Sequence, residues 1–232
     1  MNTPKRLISA AIALTLAIVP SLGCASESIS GLQLSAAAAE VNQPSEVSNI
    51  WNGSEDTSWY NDNDTTFSIR TAEQLAGLSK LVREGNSMEG KLITLESDIV
   101  LNDTSNFSSW DDDTHKPKNN WIPIGIAPMK SKGNMFDAGC NCFSGVFNGN
   151  GHTIIGMYSL HDNYAGLFAK VKYGGIFKTI VKDSYVKAKS PQNKSWDTMA
   201  AGIAVDCVSS VVSECEFDGI VIASYYSHSN LR

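Results

Sequence analysis

Hydrophobic and polar positions change rhythm several times along the chain. An unbroken apolar run from Leu7 to Val19 follows Lys5 and Arg6 and ends at Pro20. Residues 26 to 48 are rich in Ser, Ala and Glu and show no period. Farther on, Leu75, Leu78, Leu81 and Val82 form one apolar stripe at helical spacing. Thr71 supplies an N-cap, Gln74 completes a capping box, and Gly85 supplies the left-handed stop. After Gly90 the period drops to 2: Leu92, Thr94 and Glu96 alternate with Ile93, Leu95 and Ser97, and Asp98 to Leu101 continue the strand signal. A polar loop, Asn102 to Asn120, interrupts it. From Trp121 onward short β segments alternate with Gly and Asn, and Asn148-Gly149-Asn150-Gly151 is a strong turn signal. Trp51, Trp59 and Tyr60 sit in polar surroundings and read as an aromatic anchor for loops.

The first run has the build of a secretory signal: a short basic region, about a dozen apolar residues, then small residues. It falls short of the ~20 residues that a bilayer span needs. Cleavage after Ala25 or as late as Ala39 fits, leaving residues 26 to 48 as a linker and 49 to 232 as the folded part. Ser21-Leu22-Gly23-Cys24 resembles a lipoprotein box with Leu displaced by one place, so lipidation of Cys24 is the one route to a membrane. The expected location is outside the cell, secreted or at the cell surface.

The β region repeats. Ala165-Gly166-Leu167-Phe168 matches Ala201-Gly202-Ile203-Ala204, 36 residues on, and Phe177 to Val186 matches Val212 to Val221, 35 residues on. The one-residue difference is expected in the turn between the two matches, and Cys215 takes the place of Ile180. A unit this small buries its apolar side chains only by stacking on its neighbours. The predicted fold is therefore mainly β: a parallel β-helix with one amphipathic capping helix near its start.

These residues also resemble a known family. Ala165-Gly166-Leu167-Phe168 followed by Gly174-Gly175-Ile176-Phe177 resembles the GLUG repeat of bacterial surface proteins. Trp121-Ile122-Pro123-Ile124-Gly125, the segment Phe143 to Ile154, and Phe67 to Leu78 are similar to stretches that accompany that repeat, in the same order. Residues 126 to 142 look inserted, and the second repeat lacks the Gly-Gly pair. The resemblance covers residues 50 to 222. It implies a right-handed β-helix, a secreted or wall-associated location and an adhesin-like role, and it extends to modules beside the peptidase part of IgA-cleaving metallopeptidases.

Composition narrows the function. Lys and Arg number 18 against 24 Asp and Glu, a net charge of -6, which argues against a nucleic-acid partner. With 42% hydrophobic and 18% charged residues the chain can bury a core. Its 18 Gly are expected at corners. No HExxH pair marks a zinc site, Gly149 to Thr153 lacks the Lys of a phosphate loop, and no cofactor is expected. Cys140 and Cys142 are too close for a zinc ribbon, and together with Cys207 and Cys215 they read as buried residues or a loop disulfide.

Candidate ligand-binding residues are Trp110 and Trp196, both in loops, with Asp111 and Asp113 beside the first. Trp stacks on sugars and anchors protein partners. The acidic run Asp111 to Asp113 lacks the alternation of an EF-hand and reads as a solvated loop, with calcium the alternative. His152 reads as a turn residue with a local hydrogen bond. Asp183, Asp206 and Asp218 are the acids that a β-helix polysaccharide lyase or hydrolase would use, with Asp183 and Asp218 at equivalent repeat positions. The expected function is nonetheless a structural or adhesive module with no enzymatic activity, bound to a host or matrix glycan or protein. A carbohydrate-active enzyme fragment and a peptidase accessory module are the alternatives. No capping helix follows Ile220 to Ser224, so further coils of a longer chain, or another chain, are expected to cover the last strands.

Overall fold

The computed structural model describes residues 50–111, 113–126, 141–190 and 198–224, all within one compact unit, Glu46–Arg232. In chain order the elements are β1 (Thr66–Ile69), α1 (Ala72–Arg83), β2 (Leu92–Leu95), β3 (Ile99–Val100), a 3-10 turn (Phe107–Ser109), β4 (Val146–Asn148), β5 (Thr153–Ile155), β6 (Tyr158–Asp162), β7 (Tyr164–Ala165), β8 (Phe168–Lys172), β9 (Gly175–Phe177), β10 (Ile180–Lys189), β11 (Met199–Ala200), β12 (Ala204–Val208), β13 (Val211–Ser213) and β14 (Glu216–Ser224). The protein is thus mainly β with one helix. Every strand pairing among the described residues is parallel, and the sheets do not close into a barrel.

Helix α1 starts and stops where its sequence says. The Gln74 amide donates to Thr71 Oγ1. The Gln74 side chain reaches back one residue beyond the expected capping box and accepts from the Arg70 amide, at 2.9 Å. At the other end Gly85 takes φ +109°, and the Gly85 and Asn86 amides donate to Val82 and Leu81 carbonyls, a Schellman stop. Leu75, Leu78 and Val82 are fully buried in the same core as Ile69, Ile93 and Leu95. Gly77 lies on the buried side because the 50–60 segment crosses there. A β-carbon on it would come 1.8 Å from the Asp56 carbonyl oxygen. The Asp56 amide meanwhile donates to the Glu73 carbonyl at 2.8 Å. Trp59 and Tyr60 pack on Phe67, 5.4 and 5.2 Å between ring centres, so the expected aromatic anchor is present.

Neighbours in the chain are not neighbours in the sheets. One five-stranded sheet runs β1-β2-β4-β9-β13, and another runs β14-β10-β5-β3 with β6 also beside β10. β7 pairs with β11 and β8 with β12. Parallel pairing forbids a tight hairpin between partners. The Asn148–Gly151 turn accordingly joins β4 to β5 across two different sheets, with Asn150 at φ 54° and Gly151 at φ 81°. In-register pairing lines up like with like: Phe67, Ile93, Phe147, Ile176 and Val212 form one column, and Ile99, Ile154, Val181 and Phe217 another. Fully burying each such side chain contributes about 1.5–3 kcal/mol. The columns are buried up to Ile176 and Val181, and the exposed end begins at Val212.

The repeat is present, with its register shifts in other places than the sequence match suggests. β7 pairs with β11 at an offset of 35 residues (Tyr164 with Met199, Ala165 with Ala200). The offset is 36 from Phe168–Ala204 through Phe177–Ser213 to Val181–Phe217. It returns to 35 at Ser184–Gly219, across a bulge inside β10. The slip therefore falls within a strand, not in the turn before it. As a consequence Ile180 lies opposite Glu216, and Cys215 takes the position of Thr179. Both of those side chains do the same job: Thr179 Oγ1 donates to the Phe177 carbonyl at 3.0 Å, and Cys215 Sγ to the Ser213 carbonyl at 3.3 Å.

Candidate functional site

The acidic loop is organised by Asp111. Its Oδ1 accepts the amides of Asp113, Thr114 and His115 at 2.8–2.9 Å. Its Oδ2 accepts the Thr114 hydroxyl at 2.7 Å and faces His115 Nδ1 at 3.1 Å. The His115 amide, then the Thr114 hydroxyl, hold this carboxyl far below the usual carboxylate range. Asp111 staples its own loop, and its oxygens are occupied by donors instead of pointing at a cation. Asp113 is exposed. Among the described residues no group of three or more His, Cys, Asp or Glu is placed to hold a metal.

Trp110 corrects an expectation. Its indole is 5% exposed, donates from Nε1 to Asn106 Oδ1 at 2.9 Å, and packs edge-on against Phe107 and Tyr158 at 5.4 and 6.0 Å. Tyr158 in turn stacks on Tyr185, 5.5 Å away, and donates its hydroxyl to the Asp111 carbonyl at 2.8 Å. The ring covers a sheet face and offers no open platform to a sugar. Besides Phe107, its apolar neighbours come from β6 and β10, far along the chain, so the flanking acids misleadingly suggest exposure. Trp196 and Cys24 lie outside the described residues.

The three acids weighed as catalytic are spread apart by role. Asp206 is bound to Lys170, 3.3 Å between Oδ2 and Nζ, with side chains only 18% and 9% exposed. Asp183 sits at the bulge with φ 47°. Val181 pairs with Phe217 and Ser184 with Gly219, so Lys182 and Asp183 share the place opposite Asp218. Lys182 Nζ lies 3.6 Å from Glu216 Oε1. His152 faces Asp98, at 3.2 Å, whose Oδ1 also accepts the Thr153 amide at 2.9 Å. The local bond expected of a turn residue is present as well: the His152 amide donates to the Gly149 carbonyl at 2.8 Å.

Cysteine chemistry separates in the same way. Cys142 is held in a disulfide, while Cys207 and Cys215 are free thiols. Cys207 is exposed and Cys215 half-buried, so neither is the fully buried residue expected; the partial burial of the Cys207 thiol, then the Asp206 carboxylate, push its pKa upward, which works against thiolate reactivity. Cys140 lies outside the described residues.

Two buried asparagines and one half-buried histidine escaped sequence reasoning. Asn102 and Asn119 are almost fully buried within a stretch that reads as solvated loop. His161 donates Nε2–H to the Trp121 carbonyl at 2.6 Å, and burial holds its pKa below the usual value.

What remains open is the last pass of strands, β11 to β14. Val211, Val212, Ile220 and Val221 are 53%, 43%, 36% and 43% exposed. Val212 and Val221 lie directly over Ile176 and Val186, both fully buried. β13 and β14 end their sheets, and among the described residues no strand pairs with their outer edges. No family model, curated protein or solved structure matches the chain.

Proposed function

We propose that the chain is a secreted, surface-associated bacterial module built as a right-handed parallel β-helix, with α1 over its first end, and that it serves a structural or adhesive role without catalysis. The observation that carries this is the pass-to-pass register, in which whole strands pair with strands about 36 residues later and line up matching apolar side chains. Right-handedness is supported by the strong bias of parallel crossovers. Export is supported by the basic residues and apolar run at Lys5 to Val19, and the surface role by the resemblance to GLUG-repeat proteins. A non-catalytic role is supported by the use of Asp206 in an ion pair and of Asp111 as a loop staple.

The test is to present the full chain to an array of glycans and matrix proteins and, in parallel, to a panel of polysaccharide substrates. Saturable binding without turnover is the expected result. Hydrolysis or elimination that Asp183→Asn or Asp206→Asn abolishes would overturn the reading.

A further inference from the structure

The outward face of the sheet β1-β2-β4-β9-β13 is built as two straight columns. In register, Thr66, Leu92, Val146, Gly175 and Val211 form one. Two residues along each strand, Ser68, Thr94, Asn148, Phe177 and Ser213 form the other. The residues between them, from Phe67 to Ile176, are buried, so both columns face away from the core. Gly175 by itself would leave a gap in the first column, and the Phe177 ring fills it: a β-carbon on Gly175 would lie 2.5 Å from Cε2 of that ring. Leu92, Val146, the Phe177 ring and Val211 thus make one apolar strip. Leu92 and Val146 are 37% and 39% exposed, and Phe177 is half-buried. Thr94, Asn148 and Ser213 run alongside. Asn148 Oδ1 accepts the Asn150 amide, while its Nδ2 and the hydroxyls of Thr94 and Ser213 make no bond among the described residues. No residue of either column is charged. The outward positions of β10 and β14, by contrast, include Lys182, Lys187, Lys189 and Glu216.

We propose that this face binds a linear, neutral polysaccharide that runs across the strands. The C–H faces of its pyranose rings lie on the apolar strip, and its hydroxyls meet Thr94, Asn148 and Ser213. Size and charge select this occupant. Neighbouring strands are ~4.8 Å apart, so the strip from Leu92 to Val211 is about 14 Å long, and the two columns stand about 7 Å apart. That is roughly 100 Å², far below the ~800 Å² per partner of a stable protein interface. It is instead the footprint of a short run of sugar rings. A charged polymer would lose its water here and find no opposite charge on either column. The Phe177 ring supplies the aromatic surface that sugar C–H groups stack on. Strands added beside β13 would lengthen both columns and leave their faces open. The proposal rests on the reading of the chain as a binding module and names the ligand class at one of its faces.

The test runs the full chain by affinity electrophoresis through gels that hold a soluble β-glucan, a galactomannan, a xylan or, as the charged comparison, polygalacturonate. Retardation by at least one neutral polymer and not by polygalacturonate is expected, and salt should leave it unchanged. Phe177→Ala is expected to weaken it about tenfold or more, and Phe177→Tyr, which keeps a ring over Gly175, to retain it. Val146→Lys changes the strip at an exposed site and leaves both ring and core in place. It is expected to weaken binding similarly, with the thermal midpoint unchanged. Retardation by polygalacturonate alone, none by any neutral polymer, unchanged binding in both Phe177→Ala and Val146→Lys, or a matrix protein whose binding the same two variants abolish would overturn the proposal. If glycan or matrix binding persists untouched by the two variants, this inference falls and the binding-module reading stands. If polysaccharide turnover appears, the functional reading itself falls.

Discussion

Asn102 and Asn119 hold each other reciprocally: the Asn119 amide donates to Asn102 Oδ1, and Asn102 Nδ2 donates to the Asn119 carbonyl, each at 2.9 Å. The Asn102 amide group also bonds the Gly156 carbonyl, and Asn119 Nδ2 bonds the carbonyls of Trp51 and Leu101. One pair of side chains therefore ties four remote backbone segments together. Both are buried, so removing either leaves backbone groups without partners. Asn102→Ala is expected to cost about 2–4 kcal/mol, read from urea denaturation. Asn102→Asp is expected to be worse at neutral pH, because a carboxylate cannot donate to two carbonyl oxygens.

Asp111 makes the opposite kind of prediction. Its oxygens already accept every nearby donor, so calcium finds no free carboxylate there. Adding calcium to the full chain is expected to leave the thermal midpoint unchanged. A calcium-dependent rise that Asp111→Asn removes would contradict the role assigned to this side chain.

His161 sets a pH dependence. Its folded pKa is depressed by burial, so protonation favours the unfolded chain. The stability tied to the neutral ring is fully present above the unfolded value of about 6.5 and is lost as pH falls below it. Denaturation midpoints at neutral and mildly acidic pH check this. His161→Gln can keep a donor for the Trp121 carbonyl and should flatten the slope between those two conditions.

Two glycine exchanges test the backbone. Gly77→Ala gains about 1 kcal/mol of helix propensity. It also drives a methyl group into the Asp56 carbonyl, so the net effect is expected to be a loss of roughly 1–3 kcal/mol. Asp183→Gly relieves a left-handed residue and should stabilise by about 0.5–1 kcal/mol after the entropy of glycine is counted. Thermal melts of both variants decide the two signs.

Local signals in the sequence served well where one segment decides its own fate. Thr71 and Gly85 bound the helix, Asn150 and Gly151 turn the chain, and the Ala-Gly-Leu-Phe repeat announces stacked strands. Legibility ended where distant segments decide. Asn102 and Asn119 look solvated because nothing nearby reveals that Trp51, Leu101 and Gly156 will enclose them. Trp110 looks exposed because its cover, Tyr158 and Tyr185, arrives from other strands. The slip at Lys182–Asp183 is invisible to residue matching, since a bulge changes the pairing without marking either sequence.

The central claim is parallel stacking at this register, and paired cysteines measure it most directly. Sequence matching sets Phe177 opposite Val212, whereas the ladder sets it opposite Ser213. Adjacent parallel strands bring register partners within disulfide reach, and a shift of one residue turns the side chain to the other face. The account predicts that Phe177→Cys with Ser213→Cys cross-links readily under mild oxidation and that Phe177→Cys with Val212→Cys does not, as mapped by mass spectrometry of digests. Preferential cross-linking of the Val212 pair, or none in either, would contradict it.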